Sequence, residues 1–111
     1  MHSFIETRTF SRLVQEYLSD DEYRALQSAL IEHPEAGSVI VGSRGVRKLR
    51  WAAPGRGKRG GFRIIYYLQR SQGFIWMLTM YSKNVTDTLP ADVLRKIRAE
   101  IEDGEEKKGH R

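Results

Sequence analysis

The chain has 111 residues, a formal net charge of +5 at pH 7 and no cysteine. This length predicts a single domain over residues 1–111, and the lack of cysteine excludes disulfides, thiolate metal sites and cysteine nucleophiles. His2, His33 and His110 lie near the termini or just before a proline, so no histidine-centred catalytic or metal site is expected. No apolar run approaches the ~18 residues of a membrane span, and no signal-peptide pattern is present. We therefore expect a cytoplasmic protein with no membrane partner.

The first third of the chain predicts a short strand followed by a helical hairpin. The strand is expected at residues 3–7, and Thr9 is the predicted N-cap of the first helix. Behind Thr9, apolar residues recur at helical spacing: Phe10, Leu13, Val14, Tyr17 and Leu18. Ser19 and Glu22 predict a capping box at the start of a second helix, which Pro34 ends. Helices joined this tightly should form a hairpin.

The rest of the chain predicts a small sheet and a closing helix. Residues 37–45 fit a short strand or turn, and longer strands are expected at 46–53, 62–69 and 74–82. The inner strands are apolar on both faces, which favours an antiparallel sheet with the helices against one face. A last helix should begin near Pro90 and end at Gly104, with residues 104–111 as a frayed tail. The sequence thus predicts an α+β fold: an N-terminal strand and helical hairpin packed on a small antiparallel sheet, with a C-terminal helix.

Positive charge is concentrated in the middle of the chain. No Asp or Glu occurs between Glu35 and Asp87, whereas this window holds ten basic residues. They are Arg44, Arg47, Lys48, Arg50, Arg56, Lys58, Arg59, Arg63, Arg70 and Lys83. A surface segment of one sign indicates a polyanionic partner. The glycine-rich loop at 54–61 lacks the spacing of a nucleotide-binding phosphate loop, and a basic loop that contacts a nucleic-acid backbone fits it better.

Strand alternation should bring several of these cations together. Lys48 and Arg50 share one face of their strand, and Arg63 lies on one face of the next strand. Tyr81 and Lys83 share a face of the last strand, so the four residues Lys48, Arg63, Tyr81 and Lys83 are expected around one surface. Arginine stabilises charge on phosphate oxygens, and a lysine or tyrosine near other cations has its pKa lowered and can act as a base.

The aromatic residues of the strands, together with Met77, have two interpretations. Tyr66, Tyr67, Phe74, Trp76 and Met77 are expected mainly in the core. Trp51 and Tyr81 fit either the core or stacking on a nucleic-acid base.

The order of elements and several stretches of sequence resemble one family. The stretches are RKLRWA before the glycine loop, GGFRIIYYL, FIWMLTMYSKN, and the segment YLSDDEYRALQSALIEHPEAGSVIVGSRGVRKLR. They resemble the RelE/ParE superfamily of toxins from type II toxin–antitoxin modules, and specifically its HigB-like, RelE-type branch. The resemblance covers nearly the whole chain.

The resemblance implies a ribosome-dependent endoribonuclease that cuts mRNA in the ribosomal A site. The 2′-hydroxyl of the RNA would attack the adjacent phosphate, with no metal or cofactor. The expected partners are a cognate antitoxin, the bacterial ribosome and mRNA, and DNA would be contacted only through an antitoxin complex. The alternatives are a ParE-like inhibitor of DNA gyrase and a non-catalytic RNA-binding module, because one fold can host different functions.

The resemblance also implies roles for individual residues. Lys48, Arg63 and Lys83 match catalytic positions, and Tyr81 is the candidate replacement for a tyrosine that the family has where this chain has Leu89. Asn84 stands where the family's best-studied members have a second arginine. The expected RNA contacts are Arg47, Arg50, Trp51, Arg56, Lys58, Arg59 and Asn84.

Overall fold

The structure, a computed structural model, describes residues 2–52 and 61–82 together with Arg95 and Ile101. These residues form β1 (Ser3–Glu6), α1 (Arg8–Tyr17), α2 (Asp20–Glu32), β2 (Ser38–Val39), β3 (Val46–Ala52), β4 (Gly61–Gln69) and β5 (Phe74–Ser82). The predicted α+β fold, its helical hairpin and its three long strands are confirmed. The loop predicted at 54–61 lies outside the described residues. Of the predicted closing helix, only Arg95 and Ile101 are described, and both are helical.

The sheet is mixed, which corrects the prediction of an antiparallel sheet. The strand order is β1-β5-β4-β3-β2. The pairs β2–β3, β3–β4 and β4–β5 are antiparallel, whereas β1 pairs with β5 in parallel. A parallel pair requires a long crossover connection, and here both helices and three strands lie between β1 and β5 in the chain. No helix in the described part of the chain is long and apolar enough to cross a membrane.

The sheet has an apolar cluster on each side. On the face that we call the helix face, α1 and α2 cover Phe62, Ile64 and Tyr66 of β4 together with Ile75 and Met77 of β5. The opposite face, called the far face below, carries a second cluster. Its buried members are Val46, Ile65, Leu78, Tyr81 and Ile101. Both faces of the sheet are therefore partly covered, as the apolar inner strands predicted.

The two helices begin at capping residues. Ser19 and Glu22 form the predicted capping box, with N···O distances of 2.8 and 3.1 Å. The N-cap of α1 is Thr7, so the prediction of Thr9 is wrong. The Thr7 Oγ1 accepts a hydrogen bond from the Phe10 N–H at 3.0 Å. The same hydroxyl donates to the Leu78 carbonyl of β5 at 2.7 Å, and this contact with the sheet distinguishes Thr7 from Thr9.

Leu78 is an unpaired residue within β5. Ile65 is opposite Thr79 and Tyr66 is opposite Met77, so Leu78 has no partner on β4. Side chains alternate along a regular strand, and a bulge shifts the alternation by one residue. Met77 and Met80 accordingly pack on the helix face, whereas Leu78 and Tyr81 pack on the far face. The bulge therefore turns Tyr81 away from the helices.

Tyr66 connects the end of α2 to the sheet. Its side chain is fully buried, and its hydroxyl donates to the Pro34 carbonyl at 2.7 Å and accepts from the Gly37 N–H at 2.8 Å. Gly37 lies so close that an added Cβ would be 2.8 Å from Tyr66 Cε1 and 3.0 Å from the Lys48 carbonyl oxygen. Only glycine fits there, and the contact fixes β2 against the middle of β3.

Replacing Tyr66 with phenylalanine should destabilise the fold. The variant leaves the Gly37 N–H and the Pro34 carbonyl unpaired, so we expect the free energy of unfolding to fall by about 1–3 kcal/mol at pH 7. Burial raises the pKa of Tyr66, so the wild-type protein loses stability as the pH rises above the ordinary tyrosine value of about 10. The difference in free energy of unfolding between wild type and Tyr66→Phe should therefore narrow above that pH. Urea unfolding over a series of pH values measures this difference.

Tyr23→Phe is the matched control. The Tyr23 hydroxyl donates to Glu6 Oε2 at 2.6 Å at an exposed site, where water can replace it. A loss at pH 7 as large as that of Tyr66→Phe would contradict the assignment.

Thr7→Val should destabilise the protein more than Thr9→Val. The first variant loses the helix cap and the bond to Leu78, worth about 1–3 kcal/mol in sum, whereas Thr9 is exposed and is not the cap. Urea unfolding of both variants measures the difference. Equal losses would mean that Thr7 does not have this dual role.

Candidate nucleic-acid interface

Three residues form a row across the far face. Arg50 of β3 lies opposite Arg63 of β4, and Arg63 lies opposite Tyr81 of β5. Arg63 shares the side of Ile65, a member of the far-face cluster, because alternate residues of a strand point the same way. Arg50 shares the side of Val46 for the same reason. The structure thus brings together two arginines and a tyrosine from three strands.

Lys48 completes this group from the next row. It lies opposite Ile65, two residues from Arg50 along β3, which places the two Cα atoms about 6.6 Å apart. Lys48 and Arg63 are half-buried and Arg50 is exposed. We call Lys48, Arg50 and Arg63 the cationic cluster.

Two members of the cationic cluster, Arg50 and Arg63, carry like charges directly opposite each other. Residues directly opposite on neighbouring strands have Cβ atoms about 4.5–5.5 Å apart, and like charges at this distance are destabilising. Neither Arg50 nor Arg63 forms an ion pair in the part of the chain that the structure describes, and the sequence from β2 to β5 contains no Asp or Glu. By contrast, Arg24 pairs with Asp21 at 3.4 Å. An anion placed between the two guanidinium groups would relieve the repulsion.

Tyr81 is buried in the sheet beside the cationic cluster. Only 6% of its surface is exposed, and it belongs to the far-face cluster with Ile65 and Leu78. The bulge at Leu78 places it there. Only a small part of a side chain this buried can meet a ligand.

Two of the predicted RNA contacts lie on the other side of the sheet. Trp51 packs against the helix-face cluster. The Arg47 guanidinium donates to the carbonyls of Gly37 at 2.7 Å and Glu35 at 3.3 Å, and lies 3.7 Å from the Glu35 carboxylate, which also contacts Arg70. Arg47 therefore fastens the segment after α2 to β3. That Arg47 and Trp51 contact RNA stays a prediction, but the structure separates both from the cationic cluster.

The remaining predicted site residues are Arg56, Lys58, Arg59, Lys83 and Asn84, and they lie outside the described residues. Of the predicted catalytic residues, Lys48 and Arg63 share the far face as alternation predicted, and the bulge at Leu78 brings Tyr81 to the same face. The position of Arg50 directly opposite Arg63 was not predicted from the sequence. Alternation indicated the correct face for Arg50, but the register depends on how the chain crosses from β3 to β4.

The cationic cluster has the chemistry of a phosphodiester site. Guanidinium groups bind phosphate oxygens through paired, charge-assisted hydrogen bonds, and an ammonium group can bind an anion or transfer a proton. Within residues 2–52 and 61–82, no group of three or more His, Asp or Glu side chains is placed to hold a metal ion. No protein-family model matches this chain.

Two glutamine substitutions on β3 should have opposite effects on stability. Arg50→Gln removes a like-charge contact, so we expect the free energy of unfolding to rise by about 0.2–1 kcal/mol at low salt. The same variant should weaken binding of a single-stranded oligoribonucleotide at least about tenfold and lower the salt-dependence slope by about 0.7. Urea unfolding and fluorescence anisotropy over a salt series measure these quantities.

Arg47→Gln removes the same charge from the other face. It should lower the free energy of unfolding by about 1–3 kcal/mol, because the carbonyls of Glu35 and Gly37 lose their donor. The salt slope of RNA binding should stay at the wild-type value. If Arg47→Gln lowers the slope and Arg50→Gln does not, the interface lies on the helix face instead.

Proposed function

We propose that this protein is the toxin of a type II toxin–antitoxin module and that it cleaves mRNA in the ribosomal A site. The observation that carries the proposal is the cross-strand pair of Arg50 and Arg63, with Lys48 beside it, on a sheet whose strands β2 to β5 lack acidic residues. A site of this kind favours a phosphodiester over a neutral or cationic substrate. The order of strand, helical hairpin and three-stranded meander adds support, because it fits the family that the sequence resembles.

The proposed reaction needs RNA and no added reagent. The 2′-oxygen attacks the adjacent phosphorus, the bond to the 5′-oxygen breaks, and the products carry a 2′,3′-cyclic phosphate and a free 5′-hydroxyl. One proton leaves the 2′-hydroxyl and one reaches the 5′-oxygen. Arg63 would bind the nonbridging oxygens and stabilise their growing charge, and Arg50 would contribute a second guanidinium from the opposite strand.

Lys48 is the residue of the cationic cluster best suited to proton transfer. Lys48 is half-buried and carries an ammonium group that can lose a proton. Its strand also lies close to Gly37, where an added Cβ would be 3.0 Å from the Lys48 carbonyl oxygen. Arginine does not lose its proton in proteins, so Arg50 and Arg63 are restricted to charge stabilisation. Lys83 and Tyr81 stay candidates for the second proton-transfer role. Because Tyr81 is buried, a structural role in the sheet is favoured for it over proton transfer.

The proposal includes the partners and location that this reaction requires. The protein would act in the cytoplasm, bind the bacterial ribosome and its mRNA, and be held silent by a cognate antitoxin. Contact with the ribosome would use the same excess of positive charge, with the basic residues Arg56, Lys58 and Arg59 as further RNA contacts.

A purified bacterial translation system with one defined mRNA tests the activity. We expect wild-type protein to cut inside A-site codons only when ribosomes are present. Arg63→Ala should lower the cleavage rate about 100- to 1,000-fold, the usual effect of removing one group that stabilises transition-state charge. Arg24→Ala, which removes an exposed cation from α2, should cut like wild type. Mapping of mRNA ends gives the positions and rates.

Other outcomes point to the alternatives. Intact mRNA with all three proteins, together with DNA damage on expression in cells, would favour a ParE-like gyrase inhibitor. Intact mRNA with RNA binding that Arg63→Ala weakens would favour a non-catalytic RNA-binding module.

A further inference from the structure

We propose that Tyr67 and Trp76 form a stacking platform for an unpaired base of single-stranded RNA, a few nucleotides from the phosphate at the cationic cluster. The inference rests on the proposed function in that the ligand is RNA. It assigns a base-binding site to two residues that the sequence placed mainly in the core.

The register places both rings on the far face. Tyr67 of β4 lies opposite Val46 on one side and opposite Trp76 of β5 on the other. Tyr67 is four residues from Arg63 along β4, a separation of about 13 Å between Cα atoms. A single strand of a few nucleotides can therefore contact the cationic cluster and the platform together.

Tyr67 and Trp76 are more exposed than the residues of the hydrophobic core. Tyr67 and Trp76 pack at the margin of the far-face cluster and are half-buried. Tyr66 and Met77, their neighbours on the helix face, are fully buried. Part of each ring is therefore accessible to a ligand on the far face.

A hydrogen bond holds the Trp76 ring in place before any ligand binds, and the Tyr67 ring lies beside a glycine. The Trp76 Nε1–H donates to Gln69 Oε1 at 2.7 Å, and Gln69 is itself only 4% exposed. The Tyr67 ring lies beside Gly45, where an added Cβ would be in ordinary van der Waals contact, 3.6 Å from Tyr67 Cε1. A fixed ring loses little conformational freedom when a base stacks on it, which favours binding.

Positive charge borders the platform on two sides. Lys48 lies one row toward the cationic cluster, and Arg44 lies in the turn before Val46. Arg44 is exposed and has φ of 64°, a left-handed conformation that costs free energy for a residue other than glycine. The turn is fastened by Ser43, whose Oγ donates to the Ile40 carbonyl at 2.6 Å and accepts from the Val46 N–H at 3.1 Å.

These features together favour single-stranded RNA as the ligand of the platform. Aromatic surface between cations, on strands without carboxylates, complements a chain that carries phosphates and flat apolar groups. Single-stranded RNA has both, and base stacking on aromatic side chains is the usual way in which proteins hold it. A peptide partner would need acidic side chains to match the same surface.

The fluorescence of Trp76 tests the platform directly. The chain has two tryptophans, so Trp51→Phe leaves Trp76 as the reporter, and Trp76→Phe leaves Trp51 on the helix face. The probe is an oligoribonucleotide of about six nucleotides, methylated at the 2′-oxygens so that they cannot attack. We expect it to quench Trp76 and to leave Trp51 unchanged. Polyphosphate of equal charge should bind without this quenching, because it has no bases.

Substitutions of Tyr67 give a second, independent measurement. Tyr67→Leu should weaken oligoribonucleotide binding roughly 5- to 100-fold, while Tyr67→Phe, which keeps the ring, should bind close to wild type. The salt slope of Tyr67→Leu should match that of wild type, because no cation is lost. If Tyr67→Leu fails to fold, the fluorescence test still decides.

The outcomes separate this inference from the proposed function. Quenching by polyphosphate equal to that by RNA, or equal binding by Tyr67→Leu and Tyr67→Phe, would overturn the platform. Ribosome-dependent cleavage without Trp76 quenching would also overturn it and leave the proposed function standing. Quenching specific to the oligoribonucleotide without any mRNA cleavage would support the platform and reject the nuclease.

Discussion

The unpaired residue Leu78 in β5 determines what the far face displays. Without this bulge, regular alternation would place Met80 beside Arg63 and turn Tyr81 toward the helices. The bulge is fastened by Thr7, which caps α1 and donates to the Leu78 carbonyl. One threonine thus joins the start of the helical layer to the point in the sheet where the alternation changes. The composition of the candidate site depends on this contact more than on any residue within the site.

The two faces of the sheet have different tasks. The helix face fixes the backbone, because Tyr66 and Arg47 fasten the segment after α2 to β3 and β4 through buried and part-buried hydrogen bonds. The far face presents charge, with Arg50 and Arg63 directly opposite each other on neighbouring strands. Holding like charges together costs free energy in the unbound protein, and an anionic ligand recovers that cost.

Local patterns predicted much of this architecture. The capping box at Ser19 and the three long strands follow from residue spacing within one element, and the shared face of Lys48 and Arg63 follows from alternation along two strands. The errors arose where distant segments meet. Thr9 was predicted as the cap of α1, whereas the cap is Thr7, which also bonds to the Leu78 carbonyl 71 residues away. The parallel pairing of β1 with β5 is likewise a long-range choice.

For the candidate site too, features within one strand were predicted and the pairing between strands was not. Alternation gave the faces of the cations, but it could not give the register that sets Arg50 opposite Arg63. No local signal marked the bulge, so the strand pattern could not show why Tyr81 lies on the far face together with Trp76, five residues earlier. Positive charge alone also suggested an RNA contact for Arg47, which the fold uses to hold carbonyl groups on the helix face.

A crystal structure of the protein with a 2′-O-methylated single-stranded RNA would test the central claim most directly. The account predicts a phosphate between the guanidinium groups of Arg50 and Arg63, with N···O distances of about 2.7–3.2 Å, and the RNA lying along the far face. RNA bound on the helix face, or on the far face with both arginines turned away from every phosphate, would contradict it.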